Sequence, residues 1–236
     1  MKTSVAYIKK PTKMSLRIAC IPGLGFSPAV YRNLDWGPYQ PHFLEWLLPV
    51  DQDESIEDYA KRMLAQIPEA EGELVLIGHS FGGVMAQVMA RQAKTKLIIL
   101  VSSIRSPKEI PYRYRIFAPL GLSWLFIKEP ALWFLPFWGP PFGYGKEEQL
   151  VFREMVESQS NDTLQWSLKR FSGWEDKGEM PCPSYQIHGT DDRTLHFSMV
   201  ENPDAVIDDG SHMMVYNRSE EVSNLIRTQL DLLSSK

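Results

Sequence analysis

Apolar residues along the chain form short runs that alternate with longer stretches of helical spacing. Runs of four to eight apolar residues bounded by turn residues are typical of buried strands. The predicted strands cover residues 16–21, 43–48, 74–77, 97–101, 185–188 and 205–207. Between them, apolar residues recur at i, i+3, i+4 and i+7, which predicts amphipathic helices near 56–67, 84–91 and 222–233. Strands that alternate with helices indicate an α/β fold with a mostly parallel sheet covered by helices on both faces.

The alternation is interrupted between residues 107 and 180. Residues 112–144 contain 11 of the chain's 27 aromatic side chains together with five prolines, and two helices are predicted around 147–159 and 162–171. We therefore expect a mainly helical cap, inserted after the strand at 97–101. The predicted domains are an N-terminal extension or short edge strand (1–15), a core (16–106 and 181–236) and the cap (107–180).

Composition narrows the class of protein. The chain has 236 residues, 44% of them hydrophobic, and a formal charge of −4, which argues against disorder and against a dedicated nucleic-acid binder. Lys128 and Glu129 interrupt the only long apolar stretch, so no membrane span is expected. No export signal is visible, and Cys20 and Cys182 are expected to be reduced thiols in a cytoplasmic protein, with a single disulfide as the alternative.

One motif joins a predicted strand directly to a predicted helix. Gly78-His79-Ser80-Phe81-Gly82, followed by Gly83, has the G-x-S-x-G pattern. In this setting the pattern predicts a strained turn that exposes a nucleophilic serine at the carboxyl edge of the sheet. The alternative is a tight packing turn without chemistry.

A nucleophilic serine needs a base and an acid that orients the base. His212 follows the predicted strand at 205–207, which makes it the candidate base. Asp191 and Asp192 both follow the strand at 185–188 and are the candidate acids.

The order Ser80, Asp192, His212 resembles that of the α/β-hydrolase superfamily, and the resemblance spans residues 16–233. It implies the α/β-hydrolase fold, here with about seven strands because few residues precede the first strand. Since the family's acid usually falls three residues after the glycine of a His-Gly pair, the resemblance favours Asp192 over Asp191, which would then cap a loop or face solvent. Val5 to Lys9 could form one short edge strand.

The resemblance also implies an oxyanion hole made of backbone N–H groups. Its donors are expected at Leu24, with Gly25 as the alternative, and at Phe81. Pro22 stands where family members have histidine, which leaves the backbone donors unchanged.

Family members place a lid where the cap is predicted here, so its aromatic side chains are expected to line an apolar substrate pocket. The alternative is that they form the core of a helical subdomain. The candidates are Tyr112, Phe117, Trp124, Phe126, Trp133, Phe134, Phe137 and Trp138, of which we single out Trp124, Phe126, Trp133 and Phe134.

No metal or organic cofactor is expected. His188, Asp191, Asp192 and His196 lie close together in sequence, but no cysteine or Glu-x-x-His pattern accompanies them. The pair Gly23-x-Gly25 lacks the third glycine of a dinucleotide site. His79 is expected to be structural, and His42 and His196 to lie at the surface.

These features predict a serine hydrolase that cleaves carboxylic esters or thioesters of apolar acyl or aryl substrates through an acyl-enzyme. The alternatives are carbon–carbon bond hydrolysis, lactone opening or perhydrolysis on the same triad, a receptor-like protein with little turnover, and a protein whose cap aromatics dock on lipid. The sequence indicates neither the substrate nor the oligomeric state.

Overall fold

A parallel six-stranded sheet forms the centre of the computed structural model, which describes residues 15–116, 119–175 and 177–235. The strands are β1 (Leu16–Ile21), β2 (His42–Phe43), β3 (Glu73–His79), β4 (Thr95–Val101), β5 (Ser184–Gly189) and β6 (Ala205–Ile207). They lie in the order β2-β1-β3-β4-β5-β6, and every neighbouring pair is parallel. The predicted α/β class is confirmed with six strands in the described residues rather than about seven, and the expected strand at 5–9 lies outside them.

Nine α-helices accompany the sheet in the described part of the chain. They are α1 (Ile56–Leu64), α2 (Phe81–Ala90), α3 (Tyr112–Arg115), α4 (Lys128–Trp133), α5 (Leu135–Trp138), α6 (Lys146–Glu157), α7 (Asn161–Ser172), α8 (Met214–Asn217) and α9 (Ser219–Ser234). Helices α8 and α9 pack into one core cluster, and α1, α2 and α7 pack into another.

Alternation along β1 shows why both faces of the sheet are buried. Ile18 and Cys20 belong to the first core cluster, whereas Ala19 and Ile21 belong to the second. Successive side chains of a strand point to opposite faces, so a continuous apolar run fills a core on each side. The same property explains why this strand was predictable from its sequence.

The second strand is shorter than its apolar sequence predicts. The sequence predicts a strand over 43–48, but β2 covers only His42–Phe43. The Leu44 N–H still donates to the Cys20 carbonyl, and the Glu45 N–H then turns to the Gln66 side chain. The backbone pairing of this segment with β1 therefore ends at Glu45, whose N–H bonds to the Gln66 side chain and not to β1.

The strand order creates a crevice between β1 and β3. From β1 the chain moves outward to β2, and it then returns to place β3 on the other side of β1. Loops that leave the carboxyl ends of two such strands diverge, and α/β proteins bind ligands at this point. Residues 22–26 and the turn at Ser80 leave β1 and β3 at this crevice.

The segment between β4 and β5 carries α3 to α7, and part of it is continuous with the core. Trp166 of α7 is fully buried, stacks on Tyr59 of α1 at 3.9 Å between ring centroids, and donates its indole N–H to the Glu54 carbonyl. Leu132, Leu135, Val156 and Leu164 form a smaller cluster of their own. The division into core and cap stays a prediction.

Two further sequence features concern the cysteines and the membrane. Cys20 and Cys182 are both free thiols. Within the residues that the structure describes, no helix is both long enough and apolar enough to cross a bilayer.

Candidate active site

Ser80 occupies a strained turn between β3 and α2. Its backbone has φ 53° and ψ −125°, a conformation that costs a non-glycine residue roughly 1–3 kcal/mol. Glycines make the turn possible, because a Cβ at Gly78 would lie 2.4 Å from the Gly82 carbonyl oxygen, and one at Gly82 would lie 2.2 Å from the Ile21 carbonyl oxygen. The close passage of β1, β3 and α2 thus requires the glycines of the G-x-S-x-G pattern.

Hydrogen bonds fix the serine backbone in this conformation. The Ser80 N–H donates to the Val101 carbonyl of β4 at 3.0 Å. The Ser80 carbonyl accepts from the Gly83 N–H at 2.9 Å and from the Ser103 hydroxyl at 2.6 Å. These bonds hold the side chain at the carboxyl edge of the sheet, above the amino terminus of α2.

Three predicted side chains meet at this edge. The His212 Nε2 lies 2.9 Å from the Ser80 Oγ, and the His212 Nδ1 lies 2.8 Å from the Asp192 Oδ2. Asp192 lies in the loop after β5 and His212 in the loop after β6. In this arrangement His212 can take the serine proton while Asp192 holds its other nitrogen protonated.

The Asp192 carboxylate is buried and fully engaged. Its Oδ1 accepts the N–H groups of Thr194 at 2.9 Å and Leu195 at 2.8 Å. Burial alone would raise the pKa of Asp192, but His212, His188 and the Leu195 N–H outweigh it and lower that pKa below its usual value. The Asp192 carboxylate is therefore charged and can stabilise a protonated His212.

Asp191 lies beside Asp192 but faces away from His212. It is partly exposed, and its Oδ1 accepts from the Arg193 Nε at 2.9 Å. The geometry thus brings Ser80, His212 and Asp192 together and leaves Asp191 outside the group.

The loop after β1 passes close to Ser80. A Cβ at Gly23 would lie 2.9 Å from the Ser80 Cβ, so the two backbones are in close contact. The Gly23 carbonyl accepts from the Phe26 N–H at 3.0 Å and from the Trp46 indole at 2.9 Å. The Leu24 N–H belongs to the same trans peptide and therefore points away from these two donors.

An apolar cavity of about 340 Å³ opens onto Ser80 and His212. Its wall combines loops of the sheet edge with α3 to α7, and includes Leu24, Phe81, Phe126, Leu132, Trp138 and Leu164. Almost all of the wall is hydrocarbon, and pockets of this size and character bind small apolar ligands.

The structure corrects the expected pocket residues in part. Phe126 and Trp138 lie on the cavity wall. Trp124, Trp133 and Phe134 do not, and they are 61%, 73% and 49% exposed. The helices here are only four to six residues long, so no helical period assigns their faces, and Trp133 packs edge-on against Phe134 at 4.5 Å between ring centroids. Tyr112 and Phe137 are also exposed outside the cavity, and Phe117 lies outside the described residues.

His188 and His196 have protein partners. The His188 Nε2 donates to the Leu195 carbonyl at 2.8 Å, and the exposed His196 pairs with the Ser198 hydroxyl. His42 is exposed. Across residues 15–116, 119–175 and 177–235, no three histidine, cysteine, aspartate or glutamate side chains group in a way that could hold a metal ion.

Comparison with known proteins identifies the family of the chain. A family model described as "Alpha/beta hydrolase family" matches residues 18–225. The chain belongs to the alpha/beta hydrolase family. A search of the curated proteins finds no match to its sequence.

Among solved structures, the hydrolase resembles MenH from S. aureus, with a TM-score of 0.70, 17% identity and coverage of 95% of this chain and 96% of that one. A thermophilic esterase gives a TM-score of 0.68 at 19% identity, covering 92% and 90% of the two chains. The RedJ thioesterase of the prodiginine pathway in Streptomyces coelicolor gives 0.58 at 15% identity, covering 95% and 90%. At these identities the likeness shows the fold.

Tyr31 is a site residue of this hydrolase that sequence reasoning missed. Its buried hydroxyl donates to the Ile21 carbonyl at 2.6 Å and accepts the His79 N–H at 3.1 Å. It therefore ties the end of β1 to the end of β3, next to Ser80. No local motif marks a tyrosine 48 residues before the histidine it contacts.

Two arginines, also missed, link the cap segment to the loop that carries Asp192. Arg113 of α3 donates to the carbonyls of Arg193 and Thr194, and Arg193 donates in turn to the Pro141 carbonyl at 3.1 Å. Both contacts are long-range and use backbone acceptors, which leave no signal in a single sequence.

His79, expected to be structural, braces the loop of the hydrolase that carries His212. It is fully buried, and its Nε2–H donates to the His212 carbonyl at 3.0 Å. Burial, followed by the nearby His212, lowers the pKa of His79 to about 3, so the side chain is neutral in the folded protein. In the unfolded chain a histidine has a pKa of about 6.5.

This difference predicts a pH-dependent stability. Between about pH 6.5 and pH 3 the unfolded state binds a proton at His79 that the folded state does not. The contribution of neutral His79 is therefore complete above about pH 6.5 and is lost as the pH falls. In His79→Gln we expect the free energy of unfolding, measured with urea between pH 7 and pH 4, to fall less steeply with decreasing pH than in wild type. The two slopes should differ by up to about 1.4 kcal/mol per pH unit.

The matched control is His42→Gln, because His42 is exposed. Its stability should follow the wild-type pH dependence. Parallel curves for wild type and His79→Gln would contradict the assignment of a buried neutral histidine.

Proposed function

We propose that this hydrolase cleaves carboxylic esters or thioesters whose acyl or aryl part is apolar. The observation that carries the proposal is the hydrogen-bonded chain from Ser80 through His212 to Asp192, whose Ser80 and His212 line an apolar cavity. An esterase and a thioesterase are among the structures that the fold resembles.

The first half of the proposed reaction forms an acyl-enzyme. The Ser80 oxygen attacks the substrate carbonyl carbon while His212 Nε2 takes the serine proton, and Asp192 stabilises the resulting imidazolium. The negative charge on the carbonyl oxygen is stabilised by the Leu24 and Phe81 N–H groups, the latter at the amino terminus of α2. His212 then gives the proton to the departing alcohol or thiol.

The second half releases the acid. His212 takes a proton from a water molecule, which attacks the acyl carbon, and the proton returns to the Ser80 oxygen as the acyl–enzyme bond breaks. No step uses a metal or an organic cofactor. The two free thiols support the cytoplasm as the proposed location.

A substrate panel combined with active-site labelling tests this function. The purified chain is assayed on aryl esters from acetyl to lauroyl and on the matching coenzyme A thioesters, and is separately treated with a fluorophosphonate whose attachment site is mapped by mass spectrometry. We expect turnover of at least one series and a single label on Ser80. Labelling without turnover would favour the receptor alternative. The absence of both turnover and a label on Ser80 would contradict the proposed hydrolase mechanism.

A further inference from the structure

Three buried side chains on the cavity wall belong to a packed cluster. Leu132, Val156 and Leu164 line the cavity and are at most 5% exposed. The same three side chains pack together, with Leu135, in a separate hydrophobic cluster. Packed interiors resist added volume, so a ligand cannot extend past these side chains without repacking the cluster.

Charge is kept out of the cavity. Among the described residues, Lys128 is the only lysine, arginine, aspartate or glutamate on its wall. Its ammonium group donates to the carbonyls of Glu157 and Gln159, at the end of α6. The lysine therefore contributes mainly its hydrocarbon stem, and a charged group at the far end of a ligand would be desolvated without a partner.

The volume of the cavity sets the scale of the ligand part that it can hold. A water molecule takes up about 30 Å³ in the liquid, and a methylene group is of similar size, so about ten to twelve such groups fill a cavity of about 340 Å³. The wall is almost entirely apolar, and chain length therefore decides the fit more than any polar contact.

One position on the cap side of the wall has a small side chain. Ala131 of α4 lines the cavity between larger apolar neighbours, and its carbonyl accepts the indole N–H of Trp138, another wall residue, at 2.8 Å. This bond fixes the backbone at Ala131 relative to the cavity. A larger side chain at this position would reduce the cavity volume that is open to a ligand.

We propose that the cavity holds a single uncharged, medium-length acyl chain of about eight to twelve carbons, and that Ala131 sets its upper length. The inference rests on the proposed function, since it places the reacting carbonyl at Ser80 and the chain in the cavity. It adds the substrate's length class and the residue that determines it.

The first test is a chain-length profile of kcat/KM on aryl esters from acetyl to palmitoyl. In wild type we expect kcat/KM to rise about fourfold per methylene up to about decanoyl and to fall beyond lauroyl. In Ala131→Phe we expect the maximum to move to shorter chains, with at least a tenfold loss on decanoyl ester and little change on acetyl ester. Ala131→Leu should show a smaller shift in the same direction and serves if the phenylalanine variant does not fold.

The matched control is Trp133→Ala, two residues along the same helix but exposed outside the cavity, which should leave the profile unchanged. A profile without a maximum, or one that neither Ala131 variant alters, would overturn the proposal while leaving the hydrolase function intact.

A binding experiment separates the two proposals. Ser80→Ala, which cannot form an acyl-enzyme, is titrated by calorimetry with methyl esters from butyrate to palmitate, alone and combined with Ala131→Leu. We expect tightest binding near methyl decanoate, and weaker binding of that ester in the double variant. If this pattern appears without turnover in wild type, the length limit stands and the proposed function fails. If turnover appears but binding is independent of chain length, the proposed function stands and the length limit fails.

Discussion

Replacing Ser80 by alanine is expected to lower kcat for aryl-ester hydrolysis by about five to six orders of magnitude. The variant removes the oxygen that would attack the carbonyl, and His212 and Asp192 cannot act without it. The backbone at Ser80 is held by bonds to Val101, Gly83 and Ser103 that alanine keeps, so the fold should not change. Steady-state rates on the best ester, together with thermal unfolding of both proteins, provide the measurement.

Ser103→Ala is the matched control for this prediction. Ser103 is also a buried serine, but its hydroxyl donates to the Ser80 carbonyl and does not contact His212. Because the Gly83 N–H also donates to that carbonyl, we expect a loss of at most about tenfold in kcat. If Ser80→Ala keeps a tenth or more of wild-type activity, or Ser103→Ala loses as much as Ser80→Ala, Ser80 is not the nucleophile.

The elements around Ser80 were predictable because their signals are local. The strand that became β3 is a continuous apolar run, and the glycines after it are required by contacts as short as 2.2 Å. His212 and the neighbours Asp191 and Asp192 were candidates because they follow strands, and the carboxyl ends of parallel strands share one edge. Only the resemblance to the α/β-hydrolases favoured Asp192 over Asp191. The sequence therefore named the candidate residues without knowledge of the interatomic distances between them.

The cap segment shows where this reasoning stops. Phe126 faces the cavity while Trp133 and Phe134 are exposed, although all three are aromatic and close in sequence. Short helices joined by prolines have no long period, so the pattern cannot assign their faces. Cavity residues of α6 and α7, such as Phe152 and Leu168, read in the sequence only as the apolar face of a helix.

Long-range polar contacts were the other part that the sequence could not predict. Tyr31 accepts from the His79 N–H, 48 positions away, and Arg113 donates to carbonyls 80 and 81 positions away. Their partners are backbone groups of a kind that almost every residue has. Only the folded arrangement of β1, β3 and the loop after β5 brings these groups together.

Replacing Asp192 by asparagine is expected to lower kcat by about four orders of magnitude with little change in structure. Asparagine has the shape of aspartate but no charge, and its amide group can present N–H rather than oxygen to the His212 Nδ1. The ring would then carry its proton on Nε2, where it cannot accept the proton of Ser80. Measurements of kcat and KM on the best ester check the prediction, and the rate of fluorophosphonate labelling of Ser80 should fall in parallel.

Asp191→Asn makes the same chemical change one residue earlier and is the control. The Asp191 carboxylate pairs with Arg193 in a partly exposed position, and an ion pair of this kind contributes at most about 1 kcal/mol. Its loss should change kcat less than about fivefold. The buried Asp192 instead accepts hydrogen bonds from two backbone N–H groups and from His212. The kcat values of the two variants should therefore differ by about three orders of magnitude or more. The opposite pattern would assign the acid to Asp191 and require the loop after β5 to rearrange during the reaction.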